Sequence, residues 1–163
     1  ESGTDVRVDA PFQCYYVFFY KMGQAHLGPD FLRKYFELLQ NKPADMTKVL
    51  IALYELPTSR NPHTFQLSFA SKLLHTVNND LPLYDTIVAK QLRLYDQAGR
   101  NFDERLKSRL EIYDQLKTSI KYLLQNADIR GLLRDFRNEF QFVEKQISDV
   151  KALDFIIWAS GQV

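Results

Sequence analysis

Two side chains near the middle of the chain, Lys72 and Asp85, have the types and positions that imine chemistry needs. Lys72 stands between Phe69 and Leu73, and burial among apolar groups lowers the pKa of a lysine and favours its neutral, nucleophilic amine. Asp85 stands where a helix is predicted to begin, and the N–H groups of a helix N-terminus keep a carboxylate ionised. In such a pair the amine attacks, and the carboxylate stabilises positive charge or moves a proton.

Both side chains also have a purely structural interpretation. Lys72 can lie on the wet edge of its helix, with its stem on apolar neighbours and its ammonium group in water. Asp85 can serve only as a helix cap. Since most lysines and most capping aspartates do no chemistry, spacing alone leaves both interpretations open.

Other common catalytic and binding motifs are absent from the sequence. The three histidines, His26, His63 and His75, do not have the HExxH spacing of a metal site. Glycine-rich phosphate-binding loops and the GxSxG nucleophile motif are also missing. The single cysteine, Cys14, excludes an intrachain disulfide and a cysteine metal cage. We therefore expect neither a metal ion nor a cofactor.

The composition is that of a folded, soluble protein, which we expect to be cytoplasmic. The 163 residues are 45% hydrophobic and 25% charged, and 12 Phe and 9 Tyr supply ample apolar surface to bury. The formal net charge of +1 neither supports nor excludes binding to nucleic acid. The longest apolar run, Cys14–Tyr20, is too short to span a bilayer.

Apolar residues recur mostly at helical spacing, which predicts an all-α fold of about seven to eight helices. We expect an irregular segment over residues 1–10 and a single helical domain over residues 11–163. The aromatic stretch Pro11–Met22 also fits a strand, but its length and its helical neighbours favour a buried helix. The other predicted helices run from Gly28–Asp30 to Leu39, Ala44–Tyr54, Phe65–Thr76, Tyr84–Leu94, Asp103–Asn126, Asp128–Phe142, and from Ser148 to Gly161.

The central stretch resembles the helix-hairpin-helix DNA glycosylases that also have lyase activity. In that superfamily a lysine in one helix is followed by a (V/I)PxDxxV-like segment. Lys72 and the segment Leu81–Val88 (LPLYDTIV) are similar to these two parts. Leu153–Trp158 is similar to a C-terminal helix that packs beneath the site in several members. The chain also resembles small bacterial proteins of unknown activity with an SKLLHT…LPxYDxxV pattern.

The resemblance implies an enzyme that binds DNA and flips a base out of the duplex. Lys72 would attack the sugar C1′ as the base leaves, and Asp85 would stabilise the developing cation. The residues that would contact the flipped nucleotide are His75, Tyr84 and Trp158. Those that would contact the DNA backbone are Arg60, His63 and Lys90. Each of these six residues is of a type that is also common in a core or on a solvated surface.

The main alternative is a non-catalytic, all-helical domain that binds another protein. The aromatic segment Phe12–Tyr20 would then anchor the interface, because aromatic side chains dominate the binding energy of many interfaces. Its simpler interpretation is a helix packed in the core.

Overall fold

The computed structural model describes residues 5–56, 63–96, 99–141 and 147–161. Within these ranges the regular secondary structure is entirely helical, as predicted, with eight α-helices, one short 3-10 helix and no strand. The α-helices are α1 Ala10–Phe19, α2 Pro29–Gln40, α3 Met46–Tyr54, α4 Leu67–Val77, α5 Thr86–Gln91, α6 Phe102–Gln125, α7 Ala127–Glu139 and α8 Asp149–Ser160.

The aromatic segment near the N-terminus is a helix, and the competing strand interpretation is wrong. Asp9 caps α1 by accepting a hydrogen bond from the Phe12 N–H at 3.0 Å, and Pro11 occupies the first turn, where its missing N–H costs nothing. The helix ends at Phe19, earlier than predicted, because Lys21 has a left-handed backbone with φ of 51°. A 3-10 turn over Met22–Ala25 follows.

The helix that follows Asp85 is shorter than the predicted Tyr84–Leu94. Asp85 caps it, so that α5 begins at Thr86, and it ends at Gln91. The helix stops because Arg93 takes a left-handed backbone with φ of 53°. The Leu94 N–H instead donates to the Ala89 carbonyl at 2.8 Å.

The described helices fall into two compact units, residues 1–77 and 78–163, so the single domain over residues 11–163 stays a prediction. In the first unit α4 packs against α2 and α3. Its core consists of apolar side chains that these helices turn inward at i, i+3 and i+4 spacing. The members buried most completely are Phe31, Tyr35, Val49, Leu50, Leu53 and Leu73.

In the second unit the long helix α6 packs against α7 and α8, and α8 packs against α5. Its buried side chains include Val88, Ile112, Leu116, Leu133 and Leu153. Gly161 ends α8, as predicted, but its φ of −88° is not left-handed. Glycine is needed there because a Cβ would overlap the Ile87 side chain of α5.

Candidate functional site

Lys72 lies in the second turn of α4 with its side chain buried against aromatic rings. The residue is 8% exposed. Its Nζ donates a hydrogen bond to the Tyr20 carbonyl at 3.3 Å and lies 4.9 Å from the centre of the Phe69 ring. A carbonyl oxygen and the face of a ring are both good partners for an ammonium ion. Nucleophilic attack by this amine therefore requires it to leave these partners and lose its proton.

A hydrogen-bond network beside Lys72 joins α1, α2 and α4. The Tyr16 hydroxyl lies 3.0 Å from the Tyr35 hydroxyl and 2.9 Å from the Thr76 hydroxyl. Tyr35 in turn donates to the Phe69 carbonyl at 3.1 Å, and Thr76 donates to the Lys72 carbonyl at 2.8 Å. Burial is the main reason that the pKa values of Tyr16 and Tyr35 are raised well above the usual value. Both phenols therefore remain neutral and hold α1 in place.

Asp85 is the N-cap of α5, in agreement with the prediction of a carboxylate at a helix start. Its Oδ1 accepts a hydrogen bond from the Ile87 N–H at 2.7 Å, and the residue is half-buried. Asp85 belongs to the second unit and Lys72 to the first. Their action as a pair therefore stays a prediction.

Tyr84, predicted to contact a substrate, is half-buried near a polar cluster. Burial raises the pKa of its phenol, the positive charge of Arg109 opposes this, and the charges of Asp96 and Asp85 add to it. Arg109 forms an ion pair with Asp96, which also accepts a hydrogen bond from the Ser108 hydroxyl at 3.0 Å. The cluster ties the chain after α5 to the long helix α6.

The other predicted contact residues occupy different environments. His75 lies in the last turn of α4 and is 2% exposed, whereas Trp158 on α8 is 36% exposed. Lys90 is exposed on α5. His63 is exposed, has a left-handed backbone with φ of 57°, and its ring centre lies 5.5 Å from that of Tyr54. Arg60 lies outside the described residues.

Sequence reasoning missed a second buried amine beside a carboxylate. Lys151 and Asp154 lie one turn apart on α8, each 8% exposed, with Nζ and Oδ2 3.9 Å apart. Burial lowers the pKa of Lys151, and the charge of Asp154 opposes that shift. The Lys151 Nζ also lies 4.6 Å from the centre of the Phe155 ring. The available signal was a Lys and an Asp three residues apart within a largely apolar helix.

Helix α1 has an inner and an outer aromatic face. Phe12 and Tyr16 point inward, and both rings pack edge-on against Phe36. The outer side chains, which we call the aromatic face, are Tyr15, Phe18 and Phe19, and they are 68%, 81% and 45% exposed. Cys14 is exposed on the same side. The segment is therefore both a packed core helix and an exposed apolar surface.

Neither a metal site nor a membrane-spanning helix occurs among the described residues. No group of three or more His, Cys, Asp or Glu side chains there is placed to hold a metal ion. None of the helices in those ranges is both long enough and apolar enough to cross a bilayer. No family model, curated protein or solved structure matches the chain.

Proposed function

We propose that this chain is an all-helical protein-interaction domain that binds its partner through the aromatic face of α1. The observation that carries the proposal is the exposure of Tyr15, Phe18 and Phe19 on one side of a short helix. Soluble proteins rarely leave contiguous aromatic side chains in water unless the surface has a binding role. Aromatic side chains are also the commonest anchors of protein interfaces.

The packing of the inner face supports the same proposal. The Tyr16 hydroxyl is hydrogen-bonded to α2 and α4, and its ring packs against Phe36. On the outer face the Tyr15 and Phe19 rings are stacked with centres 6.2 Å apart. A surface that is held in its binding geometry loses little conformational entropy when it binds.

Site-specific photocrosslinking tests this function. A photoreactive amino acid would replace Tyr15 in the protein expressed in its own cells, and the matched control would replace Tyr122, an equally exposed tyrosine on α6. We expect a discrete crosslinked species from position 15, lost in the Phe18→Asp variant, and no such species from position 122. Equal yields from the two positions, or no product from position 15, would refute the proposal.

We also propose a second candidate, a divergent DNA glycosylase/lyase. In this proposal the Lys72 amine attacks the sugar C1′ as the base departs, and Asp85 stabilises the positive charge on the sugar. Opening of the sugar ring between C1′ and O4′, with the amine proton passing to O4′, then gives an imine. Loss of a proton from C2′ breaks the bond between C3′ and its phosphate oxygen and so cleaves the strand. The observation that favours it is the burial of the Lys72 side chain among aromatic rings, because desolvation is one way in which a lysine amine is activated as a nucleophile.

Borohydride trapping separates the two candidates. The protein would be incubated at low salt with DNA that contains an abasic site, and borohydride would reduce any imine to a stable covalent adduct. The lyase proposal predicts an adduct that is lost in Lys72→Met and retained in Lys151→Met, the matched change at a second buried lysine. An adduct that survives Lys72→Met, or no adduct and no DNA binding, would exclude Lys72 as the nucleophile.

A further inference from the structure

The charges at the two ends of α1 are complementary to the same helix running in the opposite direction. Within α1 there is no charged side chain. Asp9 lies at its N-terminal end and Lys21 just beyond its C-terminal end, and Tyr15 is midway, six residues from each. If two copies meet antiparallel with Tyr15 at the centre, Asp9 of each copy comes to the same end of the pair as Lys21 of the other. The helix dipoles of the two copies then also run in opposite directions, which is favourable.

The exposed area on the aromatic face is consistent with a weak pairing of two copies. Tyr15, Phe18 and Phe19 at their observed exposures offer roughly 400 Å² per copy, since a large aromatic side chain has about 150–250 Å² to bury. Two copies would then bury on the order of 800 Å², below the standard size of a stable interface. An association of this size depends strongly on protein concentration.

We propose that the partner of the aromatic face is a second copy of this chain, with the two α1 helices antiparallel around a twofold axis near Tyr15. This inference rests on the proposed function, because both use the same surface. A twofold interface is self-complementary, and α1 meets that condition in its uncharged centre and in its oppositely charged ends. Cys14 of each copy lies beside the axis and within reach of a short thiol crosslinker.

Sedimentation velocity at increasing protein concentration tests the inference. We expect the wild-type chain to change from monomer to dimer, and a short bismaleimide to join two chains through Cys14. Phe18→Asp should remove the dimer, whereas Tyr122→Asp, the same kind of change at an exposed tyrosine on α6, should not. A wild-type chain that stays monomeric at every concentration, or a dimer that persists in Phe18→Asp, would overturn the inference.

The antiparallel arrangement has a separate test at the helix ends. Lys21→Glu would place a carboxylate against Asp9 of the other copy and should weaken the dimer several-fold. Combining it with Asp9→Asn, which keeps a capping side chain, should recover most of that loss. Failure of Lys21→Glu to weaken the dimer would overturn the antiparallel arrangement.

These outcomes also separate the inference from the proposed function. If the chain is monomeric and position 15 crosslinks to a protein of different mass, the partner is not a second copy of the chain. The proposal of an interaction domain is then still supported. Binding of the monomer to phospholipid vesicles, lost in Phe18→Asp, would overturn both. A crosslinked species of twice the chain mass would support both.

Discussion

Several basic residues of the described chain have a left-handed backbone, which L-amino acids rarely adopt. They are Lys21, His26, Lys42, His63 and Arg93. Three of them directly follow the cap of an α-helix: Lys21 comes after Tyr20 at the end of α1, Lys42 after Asn41 at the end of α2, and Arg93 after Leu92 at the end of α5. Glycine usually occupies this position because a Cβ is strained there. The strain offers a way to stabilise the protein without touching its surfaces.

Replacing Lys42 by glycine should therefore raise the free energy of unfolding by about 0.5–1 kcal/mol, because relief of left-handed strain exceeds the entropic cost of glycine. Lys107 lies inside α6, so the matched change Lys107→Gly should lower the free energy of unfolding by about 1 kcal/mol. Urea denaturation followed by circular dichroism measures both. A loss of stability in Lys42→Gly would contradict the account.

Two substitutions at Asp85 distinguish its role as a helix cap from a role in chemistry. Asp85→Ala should lower the free energy of unfolding by about 1 kcal/mol, since the Ile87 N–H loses its acceptor. Asp85→Asn should keep nearly all of that stability, because asparagine caps about as well as aspartate. If both variants lose the adduct in the borohydride assay but only Asp85→Ala loses stability, the reaction requires the Asp85 carboxylate itself.

At the scale of the elements, alanine substitution of Gly131 within α7 and of Gly161 at the C-terminal end of α8 should change the free energy of unfolding in opposite directions. Gly131, in α7, has only the Arg134 guanidinium within 4.0 Å of where a Cβ would lie, so Gly131→Ala should add about 0.5–1 kcal/mol to the free energy of unfolding. At Gly161 the same change would push α8 against Ile87 of α5 and should remove about 1–3 kcal/mol. Thermal denaturation of the two variants checks this, and changes of the same sign would be inconsistent with the packing.

The phenols that join α1, α2 and α4 predict a loss of stability at alkaline pH. Because the pKa of Tyr16 is raised in the folded state, its stabilising effect is complete below the unfolded pKa of about 10 and declines as the pH rises above it. Tyr16→Phe should lower stability by about 1–3 kcal/mol at pH 7 and make the alkaline decline less steep by up to about 1.4 kcal/mol per pH unit.

Thr76→Val is the control for this pH dependence. It removes the hydroxyl group that bonds to Tyr16 but leaves the ionisable phenol in place, so it should lower stability while keeping the steep alkaline decline. Denaturant titrations between neutral pH and about pH 11 would measure the slopes. Equal slopes in the wild type and Tyr16→Phe would argue against a buried, neutral Tyr16.

Most elements could be predicted from the sequence, because amphipathic helices bury side chains at a regular period. Helix ends were less predictable: Lys21 and Arg93 end α1 and α5 with a left-handed backbone that their residue types do not signal. The sequence did not distinguish the inner face of α1 from its outer face, because both faces carry aromatic side chains. For Lys151 and Asp154, the apolar run around them indicated a core helix, and only the packing of α8 shows that both are buried.

At the scale of the whole molecule, the aromatic face is a feature that packing among the described residues does not explain. The net charge of +1 provides no strong long-range field to steer a charged partner. Under the proposed function, the aromatic face therefore binds an apolar partner surface, self-complementary or not. A second copy satisfies this requirement with no additional component.

Alkylation of Cys14 tests the central claim, that the aromatic face is covered by a partner, most directly. It is the only cysteine of the chain and lies exposed beside Tyr15 and Phe18, so a thiol reagent reports on this surface without a mutation. The rate would be measured in intact cells and in dilute, purified protein. For the wild type, the account predicts that Cys14 reacts several-fold more slowly in cells than in the purified protein. For Phe18→Asp, it predicts equal rates in the two conditions. Equal rates for the wild type would contradict it.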